Sequence, residues 1–151
     1  ATMTQALAAL PARLSACRGV LVDSNVLLDL ATNDPEWADW SARALAEVAA
    51  QTTLVINPII YAEISADFDR IDMLEKVVPT YFRREHIPWE AAFLAGKCFV
   101  EYRKRGGQRR SPLPDFFIGA HAAVRGMTLL TRDSRRYREY FPKLKLIAPE
   151  R

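Results

Sequence analysis

Short apolar runs that end in a carboxylate or a helix-opening turn constrain this 151-residue chain more than any other feature. Val20-Leu21-Val22 stops at Asp23, Leu54-Val55-Ile56 stops at Asn57-Pro58, and residues 127–131 lead through Arg132 to Asp133. Runs this short suit strands buried on both faces. Between them lie helical stretches: the start Val26-Leu27-Leu28, residues 37–50, a segment opened by Asn57-Pro58 in the favoured cap-then-proline order, and residues 71–78, 88–105, 114–124 and 134–140. Residues 85–87 and 144–147 read as two further short strands. Strands alternating with helices define an α/β fold, a parallel sheet covered by helices on both faces. No repeat, low-complexity tract or linker divides the chain, and its length suits one domain, residues 19–151, behind a helical arm over residues 1–18.

In such a fold the carboxyl ends of the strands and the adjoining helix starts face one crevice. Asp23, Glu63, Asp115 and Asp133 all fall at such junctions, so acids scattered in sequence can meet in space. Carboxylates about 4 Å apart repel by about 4 kcal/mol per pair at an effective dielectric of about 20. A hard divalent cation, which takes oxygen ligands, removes that repulsion. An oxygen-rich metal site points to phosphodiester chemistry, and the basic balance agrees: net charge is +3 and the isoelectric point about 9.0. A basic loop carrying Arg105, Arg109 and Arg110 precedes Asp115, and Arg132, Arg135, Arg136 and Arg138 surround Asp133. These cations can hold an RNA backbone, with Arg105, Arg109, Arg110, Arg132 and Arg136 the chosen contacts, while Phe116, Tyr137 and Tyr140 offer rings for splayed bases.

Plainer readings stand beside these. Asp115 after two prolines and Asp133 before Ser134 also read as helix N-caps, and Glu63 alone as solvated helix surface. Asp29 is expected to face solvent. His86 and His121 are expected to be structural, with an RNA contact by His121 as the alternative, and Trp37, Trp40 and Trp89 to be core or interface anchors. Cys17 and Cys98 are isolated, without the spacing of a zinc site, which suits a reduced cytoplasmic protein. No apolar stretch reaches membrane-spanning length, and residues 1–10 lack the basic leader of a signal peptide.

Several blocks in order resemble a PIN domain, the metal-dependent ribonuclease fold, and within it the VapC-type toxins of bacteria. They are Val22-Asp23-Ser24-Asn25-Val26-Leu27-Leu28-Asp29-Leu30, Tyr61-Ala62-Glu63-Ile64, Leu113-Pro114-Asp115-Phe116-Phe117-Ile118-Gly119-Ala120-His121-Ala122, and Leu129-Leu130-Thr131-Arg132-Asp133 with the tail through Pro149. The resemblance implies a single domain with a five-stranded parallel sheet. It also implies a magnesium or manganese site at Asp23, Glu63, Asp115 and Asp133, supported by Asn25, Thr131 and Ser24. Its further implications are endoribonuclease activity as the toxin of a type II toxin–antitoxin pair, a cognate antitoxin that blocks the site, and a homodimer. Two departures stand out: the eighteen residues before the first strand, and Gly119 where alanine is usual. Two other readings remain at this stage. One is a non-catalytic module of the same fold that binds RNA or antitoxin. The other is a haloacid-dehalogenase-like phosphatase, which also uses an aspartate after the first strand but wants a second acid where Asn25 stands.

Overall fold

In a computed structural model, residues 18–150 are described; the expected N-terminal arm lies outside them apart from Arg18, and so does Cys17. Strands β1 (Val20–Val22), β2 (Leu54–Ile56), β3 (Arg83–Arg84), β4 (Thr128–Leu130) and β5 (Leu146–Ile147) form one five-stranded sheet in the order β3-β2-β1-β4-β5. Every pairing is parallel, with Val20 opposite both Leu54 and Thr128. The described helices are α1 (Ser24–Ala31), α2 (Ala38–Ala49), α3 (Pro58–Ser65), α4 (Ile71–Val77), α5 (Trp89–Lys104), α6 (Pro114–Arg125) and α7 (Arg135–Tyr140). The chain winds outward from β1 to β3, then crosses back to β4 and β5 on the other side. Right-handed crossovers in these two directions put helices on both faces, and the winding reverses between β1 and β4. None of the described helices is long and apolar enough to cross a membrane.

Strands β1, β2 and β4 are buried at every residue and anchor the core. β3 differs from expectation: the strand is Arg83–Arg84, not residues 85–87, although Glu85 still donates its N–H to Ile56 O at 2.9 Å. It is a two-residue edge strand with both side chains exposed, so it lacks the apolar signature of a strand. Trp89 is 88% exposed at the start of α5 and anchors no core, whereas Trp40 is buried and meets Trp37 edge to face. Cys98 is a buried free thiol.

A buried polar chain ties the sheet's carboxyl edge to the helices. Asn57 caps α3 by accepting from Ile60 N at 2.9 Å, which turns its amide NH2 toward His121 Nδ1, also at 2.9 Å. His121 therefore carries its proton on Nε2 and donates to Glu85 Oε1 at 3.0 Å, where Arg125 Nε also donates. Burial lowers the His121 pKa. Burial pushes Glu85 upward, but the hydrogen bonds from His121 and Arg125 outweigh it and leave this carboxyl below the usual range. His121 is fully buried in this network, which rules out the RNA contact considered for it.

α6 ends at Gly126, whose φ of 66° is the left-handed cap that glycine adopts without strain. Within α6, Gly119 faces the ring of Phe141, and a Cβ there would press into that ring. The departure at this position is thus matched by a bulky neighbour. Gly119→Ala is expected to lower stability by about 1–3 kcal/mol through overpacking; chemical denaturation measures it, and an unchanged midpoint would contradict the packing account.

Candidate active site

The end of β1 fixes the first acid. Asp23 N–H donates to Leu130 O at 2.9 Å across the point where the winding reverses. Its extended backbone makes it the N-cap of α1, and Ser24 N–H donates to its Oδ1 at 2.8 Å. Its Oδ2 accepts from Thr131 Oγ1 at 2.8 Å, Tyr137 Oη at 2.9 Å and Asn25 Nδ2 at 3.5 Å. Asp23 is only 4% exposed, and donors from four residues address its carboxyl.

The other acids approach from separate helices. Glu63 on α3 accepts from Ser24 Oγ at 3.0 Å, and that hydroxyl also lies 3.5 Å from Asp23 Oδ1. Asp115 lies in the first turn of α6, where the N-cap is Leu113 and makes no side-chain cap bond. The capping alternative for Asp115 therefore fails. Its Oδ1 is 3.3 Å from Tyr137 Oη, and its Oδ2 is 3.8 Å from Arg136 Nη1. Asp133 is exposed at the entry to α7, and its nearest backbone donor, Arg135 N, stands at a long 3.5 Å. Asn25 also donates to Thr131 Oγ1 at 3.3 Å and accepts from Arg132 N–H at 3.1 Å, tying the ends of β1 and β4 together.

Electrostatics shows that the acids sense one another. Burial, reinforced by Asp115, raises the Asp23 pKa to about 6 despite the bonds from Thr131, Tyr137 and Ser24. Burial also raises Glu63, with Asp23 and Asp115 adding to it against the bond from Ser24. Burial raises Asp115 too; Arg136 and Tyr137 oppose the rise and Asp133 adds to it. Among the described residues no three His, Cys, Asp or Glu side chains form a ready-made metal cage. The nearest acids are instead joined in pairs through hydroxyls: Asp23 with Glu63 through Ser24, and Asp23 with Asp115 through Tyr137. An all-oxygen pair of this kind suits the chemistry of a magnesium-sized cation, which usually takes one or two protein carboxylates.

The basic residues divide into tied and open groups. Arg105 donates to Glu139 at 2.9 Å and Glu101 at 3.2 Å and lies over the Tyr140 ring, so internal partners hold its guanidinium. Arg109 and Arg110 are exposed on the loop after α5, without a side-chain ion pair among the described residues. Arg136 leans on Asp115. Arg132 pairs with Asp29, which is 2% exposed and also accepts from Ser41 Oγ at 2.8 Å. Asp29 was expected to face solvent; its burial follows from this pairing, whose partners lie far apart in sequence. Phe116 and Tyr137 are buried and not placed to stack on bases, which leaves Tyr140 half-exposed among the three rings.

Tyr137 is the site residue that sequence reasoning assigned another role. It lies one turn beyond Asp133 in a helix crowded with arginines, where it reads with them as an RNA contact, a ring for a splayed base. The usable signal was its spacing of four from Phe141, a buried face that carries a phenol into the acidic crevice.

The chain matches the PIN domain over residues 20–141 and belongs to that family. Comparison with curated protein sequences finds no significant match. Among solved structures, it resembles VapBC2 from Rickettsia felis bound to a DNA fragment from its promoter: TM-score 0.68, 17% identity, covering 87% of this chain and 99% of the other. It also resembles VapBC-1 from nontypeable Haemophilus influenzae, at TM-score 0.64, 20% identity, and 85% and 96% coverage. A third likeness is to DNA-bound VapBC from Salmonella typhimurium, at TM-score 0.62, 20% identity, and 86% and 97% coverage. Identities this low establish the shared fold.

Tyr137→Phe removes one donor from Asp23 and keeps the ring in the core. It is expected to raise the Asp23 pKa further and, above about pH 6, to lower stability of the metal-free protein by about 1–2 kcal/mol. Carboxyl carbon NMR and denaturation against pH measure both; an unmoved Asp23 titration would contradict this geometry.

Proposed function

We propose that the chain is a VapC-type toxin: a magnesium- or manganese-dependent endoribonuclease restrained by a cognate antitoxin and acting as a homodimer. The observation that carries this reading is the buried Asp23 carboxyl beside Asp115, whose donors from Ser24, Thr131 and Tyr137 do not offset the cost of burying its charge. Asp23 and Asp115 would hold the cation most directly, with Asp133 and Glu63 reaching it through water. The cation, when bound, supplies polarisation of the scissile phosphate and a more acidic water.

The chain's own groups do the rest. Thr131, Asn25, Ser24 and Tyr137 orient the carboxylates, in the manner of outer hydrogen bonds that fix metal ligands. Glu63, half-buried with a raised pKa, is suited to take the proton of an attacking water. Arg109, Arg110 and Arg136 give the RNA backbone positive charge beside this acidic centre. The same carboxylates would attract an antitoxin arginine, which would compete with the cation for one charge. The toxin–antitoxin assemblies that share the fold support the antitoxin partner.

Cellular RNA incubated with magnesium, manganese or EDTA tests the activity. Cleavage is expected with either ion, to stop in EDTA, and to fall at least about 100-fold in Asp115→Asn. Cleavage that survives both would sink the assignment, and no cleavage of any RNA would favour the non-catalytic binding module.

The raised Asp23 pKa adds a pH dependence. Only the charged carboxylate can take the cation, so below about 6 a proton competes for it. Manganese affinity is expected to rise about tenfold per unit from about pH 5, and to level off above about pH 6. Calorimetric titration reads this, and a flat profile through that window would contradict it.

A further inference from the structure

On the Asp133 side of the crevice lies an open cavity of about 540 Å³, lined by residues that include Trp37, Arg132, Asp133, Arg135 and Arg138. Its volume falls within the range of about 300–1,000 Å³ typical of ligand sites. Three arginines and one aspartate line it, and that aspartate belongs to the acidic set.

Arg132 is the organised part of the cavity. Its guanidinium carbon lies 5.7 Å from the centre of the Trp37 ring. Both of its bonds to Asp29, at 3.0 and 3.2 Å, leave from Nε. The two terminal amino groups have no hydrogen-bond partner among the described residues. Asp29 is held from behind by Ser41. The Arg132 backbone N–H donates to Asn25, which leads on to Thr131 and Asp23. Asp29 is buried and Arg132 only partly so, and their pairing fixes the guanidinium's orientation before anything binds. A guanidinium over an indole, its terminal amino groups without a partner among the described residues, offers a surface on which another flat group can stack.

We propose that this cavity is a nucleotide subsite, taking one nucleotide of single-stranded RNA next to the scissile bond. The base stacks on the Trp37–Arg132 pair and the adjoining phosphates take Arg135 and Arg138. This rests on the ribonuclease reading for its substrate. An acidic peptide would also answer the positive charge, but it makes no use of a planar platform.

The test uses Asp115→Asn protein, so that RNA stays intact, and fluorescence anisotropy with a short labelled single-stranded RNA of mixed sequence. A glutamate-rich peptide is the second probe. Arg132→Lys keeps the charge and loses the planar fork. It is expected to weaken RNA binding about tenfold with an unchanged salt dependence. Arg135→Ala/Arg138→Ala alters exposed residues and keeps the fold. It is expected to weaken binding and to reduce the salt slope by about 1.4, two single-strand phosphate contacts.

If both variants bind RNA like their parent while wild type cuts RNA, the subsite is overturned and the ribonuclease reading stands. If RNA binding falls as expected but wild type cuts nothing, the cavity stands as an RNA-binding site and the ribonuclease reading falls. A parent that binds no RNA overturns the subsite, and the ribonuclease reading is then decided by wild-type cleavage alone. Binding of the acidic peptide alone, lost in the same variants, overturns the subsite in favour of a protein contact.

Discussion

Everything at this site depends on one carboxyl group placed where water barely reaches. The sheet reverses its winding between β1 and β4, and Asp23 closes β1 at that point with its N–H bonded to Leu130. A charged group in such a place must be matched, and the fold supplies donors from three directions: the start of α1, the end of β4 and the buried face of α7. Those donors do not suffice, since burial and the neighbouring Asp115 still hold the Asp23 pKa near 6. The residual deficit of positive charge is the physical case for a cation in the crevice.

The same arrangement explains why the acids are joined in pairs. Ser24 and Tyr137 each present one hydroxyl to two carboxyl groups, keeping them apart yet aligned. The Asn25–Thr131–Arg132 links stitch the ends of β1 and β4 to each other, so the position of Asp23 and the course of the chain toward Asp133 are set together. Positive charge is graded around this centre. Arg105 is spent on internal partners, Arg136 touches Asp115, and Arg109 and Arg110 are exposed without an ion pair among the described residues.

Much of this was legible in the chain. β1, β2 and β4 are buried at every residue because both faces are covered, and their ends are marked by Asp23, Asn57 and Thr131. β3 was placed too late because an exposed edge pair of arginines carries no hydrophobic pattern; only its pairing with Val55 and Ile56 defines it. The positions of Asp23, Asp115 and Asp133 could be read from strand ends and helix starts, while Glu63 stands one turn further into its helix. Asp29 and Tyr137 could not, because their roles come from partners about a hundred residues away: Arg132 for the first, Asp23 for the second. Local sequence makes both look like surface groups, and long-range pairing buries them. Gly119 likewise acquires its reason only when Phe141 folds against it.

The central claim is that the Asp23–Asp115 pair is the seat of a divalent cation. Anomalous diffraction from crystals of the protein soaked in manganese tests it without reference to any substrate. The account predicts an anomalous peak between these two carboxylates, within oxygen-ligand distance of both, which disappears from Asp115→Asn crystals. A crevice without a peak at saturating manganese, or a peak bound only at other residues, would contradict it.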